Sequence, residues 1–232
     1  LEKKISCDFE KKVVIWCNNS SCMKHRIQPL SKEEIPNLHI TYSFADIPFA
    51  RLCLASTEKG FCSVSLVMGT DLEAIEALQN KFRGATFEVS MNLHDTKQRG
   101  ILDTGTEKVN ALNPPLASGN AGSDFKLEHA AFLKLFEKEP VSLNFHLLGT
   151  PFQLDVWNAL LEIPFGGTST YGVLAAEIGR PKAFRAVGSA VGDNPIFYAV
   201  PCHRVLPASG GIGNYYWGPE IKKSLLDWEK AF

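Results

Sequence analysis

Residues 196–213 constrain this chain more than any other stretch. An apolar run read as a strand, 196–200, meets Pro201, which fixes its own φ and lacks a backbone donor. Cys202, His203, Arg204 and Val205 follow, ahead of a glycine-dense loop, Gly210-Gly211-Ile212-Gly213. A thiol and an imidazole thus stand on adjacent residues. On a regular strand neighbours point to opposite faces, so the pair meets only if the backbone bends after Pro201 or a water bridges the two groups. A thiol is a strong nucleophile only as thiolate, and an imidazole backed by a carboxylate is one way to make it so. Glu229, in the last expected helix, is the candidate carboxylate.

The 232 residues suit one large domain or two small ones, and 45% hydrophobic with 21% charged residues is ordinary for a globular chain. No apolar run reaches the roughly 18 residues of a membrane span. The opening Leu1-Glu2-Lys3-Lys4 is charged, unlike a secretory signal, and lacks Met, as expected of a fragment or processed product. A net charge of −1 excludes a chain that coats nucleic acid by charge alone; DNA binding would need a local patch. The cysteines, 7, 17, 22, 53, 62 and 202, show no C-x-x-C pair and no disulfide framework, which points to a reducing, cytoplasmic setting. Cys53 and Cys62 sit in apolar runs and read as inert core thiols. Cys17, Cys22 and His25 lack a regular zinc spacing, so no metal site is expected.

Strands are expected at 13–17, 39–44, 50–56, 60–67, 85–89 and 141–147, and a turn at 18–21. A helix is expected at 71–82, capped by Asp71, with Leu72, Ile75, Leu78 and Phe82 at helical spacing. Residues 92–123, rich in Asp, Asn, Pro and Gly, read as a loop insert. A helix at 124–137 carries Phe125, Leu127 or His129, Phe132, Leu133 and Phe136 on its apolar face. The expected domains are an unassigned extension (1–36), an α/β domain (37–147) and a mostly helical domain (148–232). In the last, helices are expected at 150–163, at 169–178 (closed by Gly179), at 181–191 with Pro181 in its first turn, and at 220–228.

The pair around Gly179 reads as a helix-turn-helix whose second member would be the recognition helix. Arg180, Lys182, Arg185 and Arg204 concentrate positive charge there. On a helix starting at Pro181, Lys182 and Arg185 share a face.

Pro201-Cys202-His203-Arg204-Val205 resembles the active-site motif of the O6-alkylguanine–DNA alkyltransferases, and the resemblance runs from about residue 149 to 229. It is strongest in style to bacterial adaptive-response members. It implies an α+β fold: a ribonuclease-H-like α/β domain with an antiparallel-rich sheet, then a winged helix-turn-helix-like domain. It implies a suicidal reaction without cofactor, in which O6-alkylguanine, with O4-alkylthymine as a second candidate, is flipped from duplex DNA and its alkyl group moves to Cys202. His203 would act on the thiol through water with Glu229 behind it, Tyr171 would donate a proton to the departing guanine, and Asn194 would tie the recognition helix to the active-site strand. Arg185 would fill the space of the extruded nucleotide. Tyr215, with Tyr216 in the same loop, would wall the pocket, and Val205 would offer a backbone contact. Lys182, Ala183, Phe184 and Arg204 complete the expected DNA-binding set, presented to the minor groove by a monomer. Phe184 departs from the small or medium residue usual before the arginine; it either wedges a base step or faces the core. Thr57 and Cys62 stand where some relatives have zinc ligands.

Other readings differ in class. An alkylation-sensing regulator would carry further helix-turn-helix units, a binding-only relative would lack Cys202, and a cysteine hydrolase would turn over. The glycine loop is a weak match to a dinucleotide fingerprint, which needs a strand before it and a helix opening within it.

Overall fold

Two connections of two residues each, Pro48-Phe49 and Glu58-Lys59, decide the middle of the fold, because so short a link joins only antiparallel neighbours. The computed structural model describes residues 25–90, 121–137, 139 and 141–230, with 121–127 described in backbone only. Strand β1 (Arg26–Leu30) and a 3-10 turn (Lys32–Asn37) lead into a meander of β2 (His39–Ile47), β3 (Ala50–Thr57) and β4 (Gly60–Leu66). Helix α1 (Asp71–Lys81) crosses back to β5 (Thr86–Val89); α2 (Ala121–Lys134), continued by a 3-10 turn (Leu135–Glu137), precedes β6 (Asn144–Leu148). The expected strand at 13–17, the turn at 18–21, Cys7, Cys17, Cys22, the side chains of Phe125 and Leu127, and most of the loop insert lie outside the described residues.

The six strands form one sheet in the order β1-β6-β4-β3-β2-β5. It is mixed rather than antiparallel-rich: β2–β3 and β3–β4 are antiparallel, whereas β1–β6, β4–β6 and β2–β5 are parallel. Crossovers containing helices, not hairpins, deliver β5 and β6, and such links produce parallel neighbours. Residues 26–36, expected in an unassigned extension, supply the sheet edge and nearly all of its adjoining turn. Pro29 hid that strand from the sequence, yet on an edge its missing donor is tolerated.

Residues of alternate parity along the strands split the core in two, except that a bulge at Cys62, opposite Ala55 and Ser56, shifts the parity within β4. Ile40, Ala55 and Cys62 face Leu78 and Phe82 at the α1 end of the sheet. Leu52, Leu54, Phe61, Val64 and Phe145 face Phe132 and Leu135, and this cluster continues into the last third of the chain. Thr70, not Asp71, caps α1: its hydroxyl accepts from the Glu73 amide at 3.2 Å while the Glu73 carboxylate accepts from the Thr70 amide at 2.7 Å. Asp71 instead takes Arg51 of β3 at 2.9 Å, and Leu72 points outward. In α2, His129 is buried and held between Ser43 (2.6 Å) and Ser56 (2.9 Å).

The last third comprises α3 (Pro151–Leu161), β7 (Ser169–Thr170), α4 (Tyr171–Glu177), α5 (Phe184–Gly192), a 3-10 turn (Cys202–Arg204), β8 (Val205–Leu206) and α6 (Pro219–Lys230). The whole is an α+β architecture. Trp157 of α3 is buried and donates to the Ala190 carbonyl at 2.8 Å, locking α3 to α5. Truncating such a residue to Ala removes on the order of 3–5 kcal/mol. One strand of the sheet reaches the segment ahead of Cys202 directly. The Val64 amide donates to the Pro195 carbonyl at 2.9 Å, and the Phe197 amide donates to the Val64 carbonyl at 2.8 Å. Among the described residues, no helix is long and apolar enough to cross a membrane.

Candidate active site

Residues 196–200, expected as a strand, form a buried turn whose one ladder contact is the bridge of Ile196 to Val64. Prolines at 195 and 201 bracket it, and Asn194 supplies the bonds a sheet would have given. Its amide nitrogen donates to the carbonyls of Ile196 (2.9 Å) and Val200 (2.7 Å), and its oxygen accepts from the Ile196 amide (3.0 Å). Tyr198 within this turn has φ of 65°, a left-handed conformation that costs a non-glycine residue energy. Cys202 and His203 then lie in a 3-10 turn, so the backbone does bend after Pro201.

Cys202 is 7% exposed, with Sγ 3.7 Å from Tyr215 Oη. It opens onto a cavity of about 470 Å³ walled by Tyr171, Asn194, Tyr215, Trp217 and Lys222, a size within the roughly 300–1,000 Å³ of small-molecule sites. Burial pushes the Cys202 thiol up, while Asn194, Tyr215 and the Lys222 charge pull it down. Burial also raises Tyr171 and Tyr215, and the neighbouring Cys202 adds to both.

His203 and Glu229 are both buried, with Nε2 2.8 Å from Oε1. Burial pushes the Glu229 carboxyl up, but His203 and Arg204 outweigh it and hold it at about 2. A carboxylate only accepts, so Nε2 carries the hydrogen, and Nδ1 is left as the acceptor face of a neutral ring. That Nδ1 is buried without a hydrogen-bond partner among the described residues. Burial holds the imidazole below its ordinary value, with Glu229 pulling the other way.

Arg204 corrects an expectation. It is buried, not on a DNA-facing surface: its guanidinium meets Glu229 at 2.8–3.2 Å and donates to the Ile163 carbonyl at 2.7 Å. A charge this far from water needs a paired carboxylate, and the one it meets among the described residues is the same group that orients His203. Val205 is buried too, and its carbonyl accepts from Lys222 Nζ at 2.7 Å.

The helix expected from Pro181 begins at Phe184, with Ala183 at the N-cap. Gly179 turns the chain with φ of 72°, and the Ala183 amide donates back to the Arg180 carbonyl at 2.8 Å. Lys182 therefore lies in the turn and shares no helical face with Arg185. Lys182, Phe184 and Arg185 are exposed, with Ala183 half-buried between them. Phe184 does not face the core. The first helix of the pair also starts late, at Tyr171, because Ser169-Thr170 pair in parallel with Val205-Leu206. Thr57 and Cys62 are separately engaged, with His146 at 2.9 Å and the Ala55 carbonyl at 3.5 Å.

The description 6-O-methylguanine DNA methyltransferase, DNA binding domain, matches residues 151–231. The solved Mycobacterium tuberculosis O6-methylguanine methyltransferase is 30% identical, over 83% of this chain and 93% of that one, with a TM-score of 0.53. The chain belongs to the 6-O-methylguanine DNA methyltransferase family. Another solved relative, the M. tuberculosis OGT in complex with DNA, is 29% identical over 82% of this chain and 93% of its own, with a TM-score of 0.55. The inducible methylated-DNA–protein-cysteine methyltransferase of Bacillus subtilis is 54% identical over 35% of this chain and 46% of its own length. The bifunctional transcriptional activator/DNA repair enzyme Ada of Escherichia coli is 31% identical over 82% of this chain and 45% of its own. The chain spans about half the length of the curated relatives it matches.

In this member of the 6-O-methylguanine DNA methyltransferase family, the structure brings Cys202, Tyr171, Asn194, Tyr215 and Tyr216 to one cavity, while His203, the next residue, is buried and bonded to Glu229. Sequence reasoning missed Lys222, Trp217 and Tyr198. A signal for Lys222 was present: positions 222, 225, 226 and 229 follow helical spacing, so a lysine sits in the apolar stripe of α6.

Proposed function

We propose that this chain is a single-turnover DNA repair protein that moves the alkyl group of O6-alkylguanine in duplex DNA to Cys202. The observation that carries the reading is a thiol that lines the cavity and is followed in the chain by a buried imidazole whose carboxylate partner fixes its tautomer. His203 Nδ1 takes the thiol proton through one water, and Glu229 stabilises the imidazolium. The sulfur lone pair forms a bond to the alkyl carbon as the carbon–oxygen bond breaks, its electron pair passing to guanine. Tyr171 gives guanine a proton and is reprotonated in turn, so the thiol proton ends on the purine. The product is a thioether, and the protein is spent after one transfer, with no cofactor.

The base reaches the cavity only when rotated out of the duplex, which takes a few kcal/mol and less for a damaged base. Arg185, exposed on α5, fills the space left, and Lys182 binds phosphate at the minor groove. The same reading takes the first domain as ribonuclease-H-like and the part from about residue 148 as a winged helix-turn-helix-like domain, working as a monomer in the cytoplasm. O4-alkylthymine presents the same alkyl–oxygen bond to the sulfur. Similarity to Ada over 82% of this chain favours one second reading, an alkylation-sensing regulator.

The test is incubation with a duplex containing O6-methylguanine, then peptide mass spectrometry. A methyl on Cys202, one per molecule, is expected, with none on Cys202→Ala. Transfer retained by that variant overturns the assignment. Promoter affinity that changes on methylation would select the regulator.

A further inference from the structure

Phe184 is a large apolar side chain that is 49% exposed at the start of α5. Water is a poor environment for it, and its local surroundings are cationic. Residues 171–192 hold Arg180, Lys182 and Arg185 against the single carboxylate Glu177. The Arg185 guanidinium stands 5.8 Å from the centre of the Phe184 ring, so the two side chains lie side by side on this surface.

Helical spacing puts Phe184 in line with Gly188 and Val191, and both of these line the cavity of Cys202. Phe184 therefore continues the cavity wall by one turn, about 5.4 Å. Stacked bases are separated by about 3.4 Å, so a nucleotide turned into the cavity leaves Phe184 beside the adjoining base step. An exposed apolar ring flanked by cations fits a base stack below a phosphate backbone. It does not fit a phosphate or an open water layer.

We propose that Phe184 is a wedge that enters the duplex next to the lesion and unstacks the neighbouring step. Arg185 occupies the vacated position, and Phe184 keeps the step beside it open. Apolar side chains inserted from the minor groove unstack and kink duplexes in this way. The wedge lowers the energy needed for extrusion, because part of the unstacking is compensated by burial of the ring. The proposal rests on the duplex-repair reading above.

The experiment compares the whole chain with Phe184→Ala and Phe184→Leu. Transfer is followed from duplex O6-methylguanine and from free O6-benzylguanine, which needs no extrusion. A 2-aminopurine next to the lesion reports unstacking, read with Cys202→Ala in each background so that no transfer occurs. With the wild-type 184 side chain, a fluorescence rise on binding is expected. Phe184→Ala should lose that rise, and its duplex-to-free-base rate ratio should fall about tenfold; Phe184→Leu should keep part of both. A rise that survives in Phe184→Ala, or equal losses on duplex and free base, overturns the wedge and leaves the repair reading standing. A wild-type chain inert on both substrates overturns both.

Discussion

Tyr198 lies flat against His203, with ring centroids 5.5 Å apart and planes 9° from parallel. It holds this position through a left-handed backbone and with its hydroxyl buried and unpartnered among the described residues. Two unfavourable features in one residue stacked on His203 indicate strain retained for the geometry of the imidazole.

Tyr198→Phe should keep the stack and remove a buried hydroxyl that lacks a partner. We expect a gain of about 1 kcal/mol in urea unfolding with the transfer rate unchanged within a factor of about two. Tyr198→Leu should slow transfer and displace its pH profile, because the ring that holds His203 is gone. An unaltered profile in the leucine variant would assign Tyr198 to packing alone.

Glu229 titrates at about 2 instead of its ordinary 4.5. A carboxyl lowered on folding adds stability above its unfolded value, and that increment disappears as pH falls through the folded value. Glu229→Gln should therefore be less stable than wild type at pH ~7 by about 3–5 kcal/mol, since Arg204 loses its buried partner. The difference should shrink between about pH 4.5 and 2, as urea titrations across that window will show. A difference constant with pH would mean that the carboxylate charge is not what matters.

Lys222 is buried, donates to the Val205 carbonyl at 2.7 Å and favours the Cys202 thiolate. Lys222→Met should move the thiol titration upward, followed by ultraviolet thiolate absorbance, and slow transfer on the order of tenfold. A rate loss with an unmoved titration would point to a displaced Val205 instead.

Lys182 and Arg185 should separate in salt titrations. Lys182→Ala should flatten the dependence of log K on log salt by about 0.9, as loss of one phosphate contact does. Arg185→Ala should slow duplex transfer about tenfold more than transfer from free O6-benzylguanine. Equal losses on the two substrates would remove its role as the residue that fills the gap.

The meander was legible because 39–44, 50–56 and 60–67 are strand-rich runs separated by short turns, and these match β2, β3 and β4 to within a few residues. The edge strand β1 was not, since Pro29 contradicts the usual pattern of a strand. Cys202, His203 and Glu229 could be paired from chemistry, but nothing local announces that Arg204 shares the carboxylate. A cation close to a basic helix reads as surface until the fold closes over it. The segment 196–200 looked like a strand for the same reason: apolarity reports burial, whereas the turn there depends on Asn194, two residues earlier.

The contact of Val64 with Pro195 and Phe197 has a consequence for how this molecule can be divided. Every group to which a chemical role is proposed belongs to the final third, yet the ledge on which their loop rests is laid down some 130 residues earlier in the chain. Cut ahead of α3, the remainder would retain its full set of reagents and lose its alignment. Heat should therefore dissolve the sheet and silence the thiol in a single transition.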